Sequence, residues 1–466
     1  MKKTYRPYEP RQSLMFPPSP LDWLPEGHLA RFMLDVVEQL DLSKIFAYYE
    51  REQRGFPPHH PKMMTGLLLY AYCVGVPSSR KIEKRCHEDV AFRVIAGNTQ
   101  PDHSCISEFR RIHLPALAAI FGQVLQLCEK AGLVKLGHVA LDGTKLKANA
   151  SKHKAMSYEF MKKKQAELQT RVEELLRAAE QADQDEDARY GKSQRGDELP
   201  AELQRAESRQ RRIRDLMAAL EDEAKEQRVA AEAEAAKAKS DDDDPPPGPT
   251  ALPSHRIPTT EDGTPTDKAQ RNFTDGDSRI MKTGDGFIQG YNCQAAVDEE
   301  HQIVVAEAVT NQPPDVEHFV PMLEAVVANC GRPPEEMSAD TGYFSEANVI
   351  RSLERGVDPH IATGRRAHDE PAPTVRGRTP RDMTLKELMA RKLATKRGAK
   401  VYSRRKVIVE PAFGQIKNRG FRHFLLRGLA KVRGEWSLMT LTHNLLKLWR
   451  SCAVPDDRCQ AGVARA

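Results

Sequence analysis

One strand of this chain stands apart from the rest of its sheet. In Gly137-His-Val-Ala-Leu-Asp-Gly-Thr-Lys-Leu-Lys-Ala the pattern alternates as in a half-buried strand, with Val139 and Leu141 on one face and Ala140 and Asp142 on the other. Asp142-Gly143 reads as a turn, which places Asp142 at the strand's carboxyl end. The next strand pattern begins only at Phe287. Everything between must leave the sheet and return to it, and its composition says how. Met156 to about Asp187 and Leu199 to about Lys239 are charged segments with heptad spacing (Met161, Leu168, Val172, Leu175, then Leu203, Ile213, Met217, Leu220). The break at Gly191-Lys-Ser-Gln-Arg-Gly, followed by Pro200, suits an antiparallel helical hairpin. The run Asp241-Asp-Asp-Asp-Pro-Pro-Pro and its neighbours to 269 read as a disordered linker. The chain is therefore expected to build one sheet domain from 135–150 and 270–450, interrupted by a coiled-coil-like insertion at 151–240 and a linker at 241–269.

Beyond the insertion, Phe287–Val297 and Gln302–Thr310 form a hairpin pattern about Asp298-Glu299-Glu300. Helical spacing over 315–329, a short strand at Glu336–Asp340, a helix capped by Ser345 and a strand at Val357–Ala362 follow. That order suits a three-layer α/β domain with a mixed sheet. Ahead of it, 1–25 is a Pro-rich arm and 26–134 an all-helical domain of four or five helices. Pro61 opens one helix, Ser78 or Ser79 caps one to about Ile95, and Ser104 caps one toward Lys130 with a kink at Pro115 and a stop at Gly132. Arg80, Lys81, Lys84, Arg85, Arg110 and Arg111 make two of these helices a candidate DNA-reading pair, although the connection 96–103 is longer than in a strict helix-turn-helix. Residues 451–466 are a tail.

Net charge is only +5, but the average conceals an asymmetry. Between Arg376 and Arg433 stand 18 Lys/Arg against Asp382, Glu387 and Glu410, a local +15 that leaves −10 for the rest. Such a block is a footprint for a polyanion, most often nucleic acid. Mean hydropathy is −0.60, and no uninterrupted run approaches the roughly 18 apolar residues of a membrane span. Met1–Pro10 lacks the apolar core of a secretory signal. The eight cysteines show no CxxC, the plain reading of which is a reduced set in the cytoplasm. His59, His60, His87, His103 and His113 are irregularly spaced, so zinc is not expected; nor is ATP, for want of a Gly-rich phosphate loop.

Among 66 acidic residues, context separates three. Asp142 and Asp340 each end a short apolar strand and precede a Gly-containing turn, the edge at which open α/β sheets hold their sites. On neighbouring strands the two carboxylates repel unless a cation neutralises them, and oxygen ligands select Mg²⁺ or Mn²⁺. Glu410 is a lone acid amid Arg404, Arg405, Lys406, Lys417, Arg419 and Arg422, with Pro411 marking a helix start or a kink. Alone, its default role is a salt-bridge partner within that block.

These segments resemble the DDE transposases of bacterial insertion sequences, in the InsH-like branch with a Tyr-Arg-Glu-Lys signature. The resemblance rests on Leu141-Asp142-Gly143-Thr144-Lys145, on Ser338-Ala339-Asp340-Thr341-Gly342-Tyr343, on Tyr402 and Arg405 leading to Val409-Glu410-Pro411-Ala-Phe413-Gly414-Gln-Ile-Lys417-Asn-Arg419, and on Pro101–Arg110 near the N-terminus. It spans roughly 15–450. Four residues, 406–409, separate Arg405 from Glu410 where the signature has three, so Arg405 or Lys406 takes the arginine's place. The resemblance implies an RNase H-like fold carrying Asp142, Asp340 and Glu410 as catalytic and metal-binding residues, with two Mg²⁺ or Mn²⁺ ions shared among them. It further implies DNA contacts from Lys145, Tyr402, Arg405, Lys417 and Arg419, double-stranded DNA partners in terminal inverted repeats and target, and a homodimer on DNA. Cleavage and strand transfer by in-line phosphoryl transfer is the implied activity. An inactive DNA-binding protein on the same fold and a plain nuclease or resolvase are the competing readings.

Overall fold

The structure, a computed structural model, describes residues 19–51, 57–190, 201–238, 252–364 and, apart from 376, 378 and 381, 375–453. The expected arm up to residue 18, the hairpin tip at 191–200, the Asp/Pro run at 239–251 and the tail from 454 lie outside the described residues. Two compact units are formed, Met1–Gln123 with Leu448–Ala466, and Val124–Lys447.

The first unit is helical: α1 (Leu29–Gln39), α2 (Ser43–Glu50), α3 (Pro61–Cys73), α4 (Ser79–Glu88), α5 (Val90–Ile95) and the greater part of α6 (His103–Lys130). Pro61 opens α3 as expected, and Leu67, Leu68, Leu69 and Tyr72 on it are fully or almost fully buried. The single helix expected over 79–95 is two. Asp89 ends α4 and caps α5, its Oδ1 accepting from the backbone N–H of Ala91 at 2.9 Å. Asp102, rather than Ser104, caps α6, accepting from Ser104 N at 2.7 Å and Cys105 N at 2.9 Å. Pro115 lies inside α6, and Gly132 stops the chain beyond it at φ +75°. By length and composition alone α6 could cross a membrane, but its Ile106, Leu117, Ile120, Val124 and Cys128 are buried in the protein. Arg110 is no groove reader. It is 6% exposed and donates to Pro77 O (2.7 Å), Ser79 Oγ (3.3 Å) and Tyr72 Oη (3.4 Å), clamping α6 to the start of α4.

The second unit contains β1 (His138–Lys147), β2 (Ala155–Ser157), α7 (Tyr158–Tyr190), α8 (Ala201–Ala238), β3 (Gln270–Asn272), β4 (Arg279–Thr283), β5 (Gly286–Asp298), β6 (Val304–Thr310), α9 (Phe319–Cys330), β7 (Glu336–Ala339), α10 (Glu346–Glu354), β8 (Asp358–Ile361), α11 (Leu385–Ala394), α12 (Lys396–Asn418) and most of α13 (Leu429–Ala453). The main sheet runs β4-β5-β1-β7-β8, and β6 also pairs with β5. β5 is antiparallel to β1, β4 and β6; β7 is parallel to β1 and β8. A mixed sheet flanked by helices is what the RNase H-like expectation requires. β4 was not foreseen.

The insertion is seated on its own small core. Met161 from α7 and Ile213, Leu216 and Leu220 from α8 pack with Tyr158, Ile257 and Ala269, and β2 pairs with β3 below them. Residues 252–269 are therefore not the disordered linker expected. Ile257 (6% exposed) and Ala269 (1%) fill that core, and Ile257 N donates to Gln227 Oε1 at 2.8 Å. Two apolar side chains within a Pro/Asp-rich stretch were enough to dock its second half.

Candidate active site

β1 does not turn at Asp142-Gly143. It runs on to Lys147, with Asp142 opposite Ala295 and Lys147 opposite Gly290 of β5. Its other neighbour, β7, stops at Ala339. The last parallel pair is Ala140 with Ser338, so Asp142 and Asp340 each lie two residues beyond it, in step. Asp142 thus stands mid-strand on β1 yet at the end of the β1–β7 ladder, which preserves the convergence expected of a strand end. Asp340 Oδ1 accepts from Gly342 N at 2.8 Å and holds the turn that follows.

Gly143 is required by close approach rather than by a turn. A Cβ there would lie 2.7 Å from Gln294 Nε2, 3.1 Å from Asp315 Oδ1 and 3.3 Å from Asn292 Oδ1. These belong to a polar network beneath β1. Asp315 Oδ1 accepts from Asn292 Nδ2 at 2.7 Å and from Gln294 Nε2 at 2.9 Å, while the Tyr343 hydroxyl donates to Gln294 Oε1. Asn292, Gln294 and Tyr343 are almost completely buried. A Cβ on Gly342 would lie 3.0 Å from Asp340 Oδ1 and 3.6 Å from Asp315 Oδ2, so Asp315 flanks the same turn as Asp340. Asp315 escaped the sequence reading. The signal that pointed to it was Asn292 and Gln294, polar residues in a strand too apolar to face water.

On the other face of β1, α12 closes over the acids. Arg405 Nη1 donates to Asp142 Oδ2 at 2.8 Å, with side chains 8% and 20% exposed. The Tyr402 ring lies 5.8 Å from that guanidinium. Of the two candidates for the signature's arginine, Arg405 points in and Lys406 is exposed. Lys417 Nζ donates to Thr144 Oγ1 at 2.7 Å, one side-chain repeat along β1 from Asp142. Pro411 neither starts nor ends α12, which continues through it. Glu410 is exposed and sits two turns before Lys417 on the same face. The ligand atoms of Asp142, Asp340 and Glu410 do not all fall within 4.8 Å of one another; those of Glu336, Asp358 and His360 do. That second cluster is already occupied, since Lys392 pairs with Asp358 and Arg397 with Glu336 (2.7 Å).

Burial raises the Asp142 carboxyl above its ordinary value, against the pull of Arg405 and with the push of Asp340's charge. Burial alone would lower Arg405, but Asp142, Tyr402 and Asp340 together hold it above its ordinary value. An acid pair that demands a counter-charge, with oxygen as its only donor atoms, fits a hard divalent cation. Two expected DNA contacts are placed elsewhere. Arg419 turns to α13, donating to Thr442 Oγ1 (3.1 Å) and Met439 O (3.2 Å). Lys145 shares with Gly143 the face of β1 opposite Asp142. Four of the eighteen cations of the basic block pair with acids of the sheet: Lys392 with Asp358, Arg397 with Glu336, Arg404 with Glu299 and Arg405 with Asp142.

No curated protein and no solved structure shows significant similarity to the chain. Two families do match. Residues 18–111 match a transposase domain (DUF772), and residues 251–445 match the transposase DDE domain. The second match begins after the insertion, and β1 joins it through its pairing with β5 and β7. The sheet so completed, with Asp142 and Asp340 in step and a transposase domain preceding it, places the chain among the DDE transposases.

Proposed function

We propose that Asp142, Asp340 and Glu410 are the catalytic acids of this DNA transposase, which cuts at the ends of its insertion sequence and joins them to target DNA by in-line phosphoryl transfer. The observation that carries the reading is the in-step placement of Asp142 and Asp340, with α12 bringing Arg405 to Asp142 and carrying Glu410 exposed two turns before Lys417. Mg²⁺ or Mn²⁺, two ions held by Asp142, Asp340 and Glu410, would supply activation of the attacking oxygen and stabilisation of the leaving oxygen. The chain's own part is positioning and charge. Arg405, with the Tyr402 ring beside its guanidinium, holds Asp142, the network of Asp315, Gln294 and Tyr343 braces the turn behind Asp340, and Lys417, fixed beside Thr144, offers its ammonium to a phosphate of the bound strand. Duplex DNA bearing terminal repeats, a homodimer joining two ends, a cytoplasmic setting and the InsH-like branch complete the proposal.

The test is Asp142→Asn, Asp340→Asn and Glu410→Gln, each assayed for cleavage and joining of terminal-repeat DNA with Mg²⁺. Each is expected to lose cleavage by at least 10³-fold, about 4 kcal/mol, while still binding the duplex. Cleavage retained by one of them removes that residue from the set. Cleavage without joining in the parent would assign a plain nuclease.

A further inference from the structure

Four cations of the basic block near Glu410 are paired with acids of the sheet, and a transposase needs a long phosphate-binding surface. The structure offers one on the insertion. Where α8 leaves the sheet domain, a cleft of about 1240 Å³ opens between α8, the start of α7 and the β2–β3 pair. Lys154, Arg205, Arg209 and Arg212 line it, and no Asp or Glu does among the described residues. All four cations are exposed. Arg205, Arg209 and Arg212 occupy positions i, i+4 and i+7 of α8, the row that reaches Leu216 in the packed core one turn later. One helical face is thus apolar and filled at Leu216, then basic and open before it. Four residues of helix rise about 6 Å, close to two steps of about 3.4 Å per phosphate along one DNA strand. Arg212 is oriented from the cleft wall, its Nε donating to Phe273 O at 3.3 Å, and Phe160 stands at the mouth 50% exposed.

We infer that this cleft is a docking site for the sugar–phosphate backbone of duplex DNA, so that the insertion grips the substrate while the sheet domain cuts it. The inference rests on the transposase reading for its partner but not on the assignment of the three acids. It needs no base-specific contact: three cations in a row on α8 with Lys154 beside them, no carboxylate among the described lining residues and a ring at the edge make a sequence-independent site.

The experiment measures binding of the full chain, in EDTA, to a labelled terminal-repeat duplex and to an unrelated duplex by fluorescence anisotropy from 50 to 300 mM salt. Combining Lys154→Ala, Arg205→Ala and Arg209→Ala is expected to reduce the slope of log K against log salt by about 2 to 3 and to weaken binding about 100-fold at 150 mM, equally for both duplexes. Arg205→Lys with Arg209→Lys keeps the charge and is expected to keep the slope, which separates charge from folding. An unchanged slope in the triple alanine variant overturns the inference. So does lost binding to anionic lipid vesicles with DNA affinity intact. Because EDTA excludes cleavage, the two readings fail separately: a reduced slope beside normal cutting by Asp142→Asn sinks the acids alone, and an unchanged slope beside dead acid variants sinks the cleft alone.

Discussion

The Arg405–Asp142 pair makes a quantitative prediction, because it stands where a divalent cation and a guanidinium would be alternatives. At 2.8 Å and an effective dielectric of about 20 the gross attraction is about 6 kcal/mol. With side chains only 8% and 20% exposed, much of that offsets lost hydration. What remains measurable is the penalty for leaving one partner alone, about 2–4 kcal/mol. Asp142→Asn keeps an acceptor for the Gly143 N–H, which now bonds Oδ1 at 2.8 Å, and removes only the charge. Arg405→Met keeps the length and removes the guanidinium. In urea unfolding followed by tryptophan fluorescence in EDTA, each variant is expected to lose about 2–4 kcal/mol, and the double variant about 2 kcal/mol less than the sum. Added Mg²⁺ should then restore Arg405→Met, where it replaces the missing charge, far more than Asp142→Asn, where its ligand is gone. A coupling below about 0.5 kcal/mol would show that the pair is incidental, within the error of additivity for independent sites. Equal Mg²⁺ stabilisation of both variants would show that Asp142 holds no cation.

Two further outcomes follow from glycines and from one half-buried acid. Gly143→Ala pushes a methyl into fully hydrogen-bonded buried amides and is expected to cost about 2–4 kcal/mol and to depress cleavage although no acid is touched, whereas Gly414→Ala in α12, with nothing within 4 Å of its Cβ, should be neutral or gain up to about 1 kcal/mol; thermal melts and a cleavage assay compare them. Glu307 on β6 is raised to about 7 by burial, against the Ser437 hydroxyl at 2.5 Å and the Arg433 charge. Its folded value exceeds its unfolded one, so its contribution is complete below about pH 4.5 and is lost as pH rises through about 7. Glu307→Gln is therefore expected to flatten the fall in stability between pH 5 and 8 and to exceed the parent by about 2–3 kcal/mol at pH 8, read from urea midpoints; a parallel pH profile would remove Glu307 as the cause.

Much of this architecture was legible because each signal was local. Heptad apolar positions found α7 and α8, alternation found β1, the turn at Asp298-Glu299-Glu300 found the β5–β6 hairpin, and Gly132 marked the stop after α6. What failed depended on partners distant in sequence. Asp142-Gly143 has the composition of a turn, and only the Gln294 amide and the Asp315 carboxylate packed beneath β1 explain a glycine in the middle of a strand. β4, Arg279–Thr283, is short and charged, and exists because β5 is long enough to carry a second partner beside β6. The 252–269 segment looked unstructured by composition, yet Ile257 and Ala269 find a core made by α7 and α8.

The charge asymmetry is real, and part of it also serves the fold. A basic block beside an acidic remainder reads as a surface awaiting a polyanion. In the folded unit the acids at the edges of the sheet draw α11 and α12 onto it, with Lys392 on Asp358, Arg397 on Glu336, Arg404 on Glu299 and Arg405 on Asp142. Three of these pairs fasten helices away from Asp142, and one holds Asp142 itself. The electrostatics that hold α12 against the sheet therefore also act on Asp142, and a change at Arg405 is expected to register in stability. Affinity for DNA at a distance from the acids then has to come from cations the sheet has not claimed, and the row on α8 meets that condition.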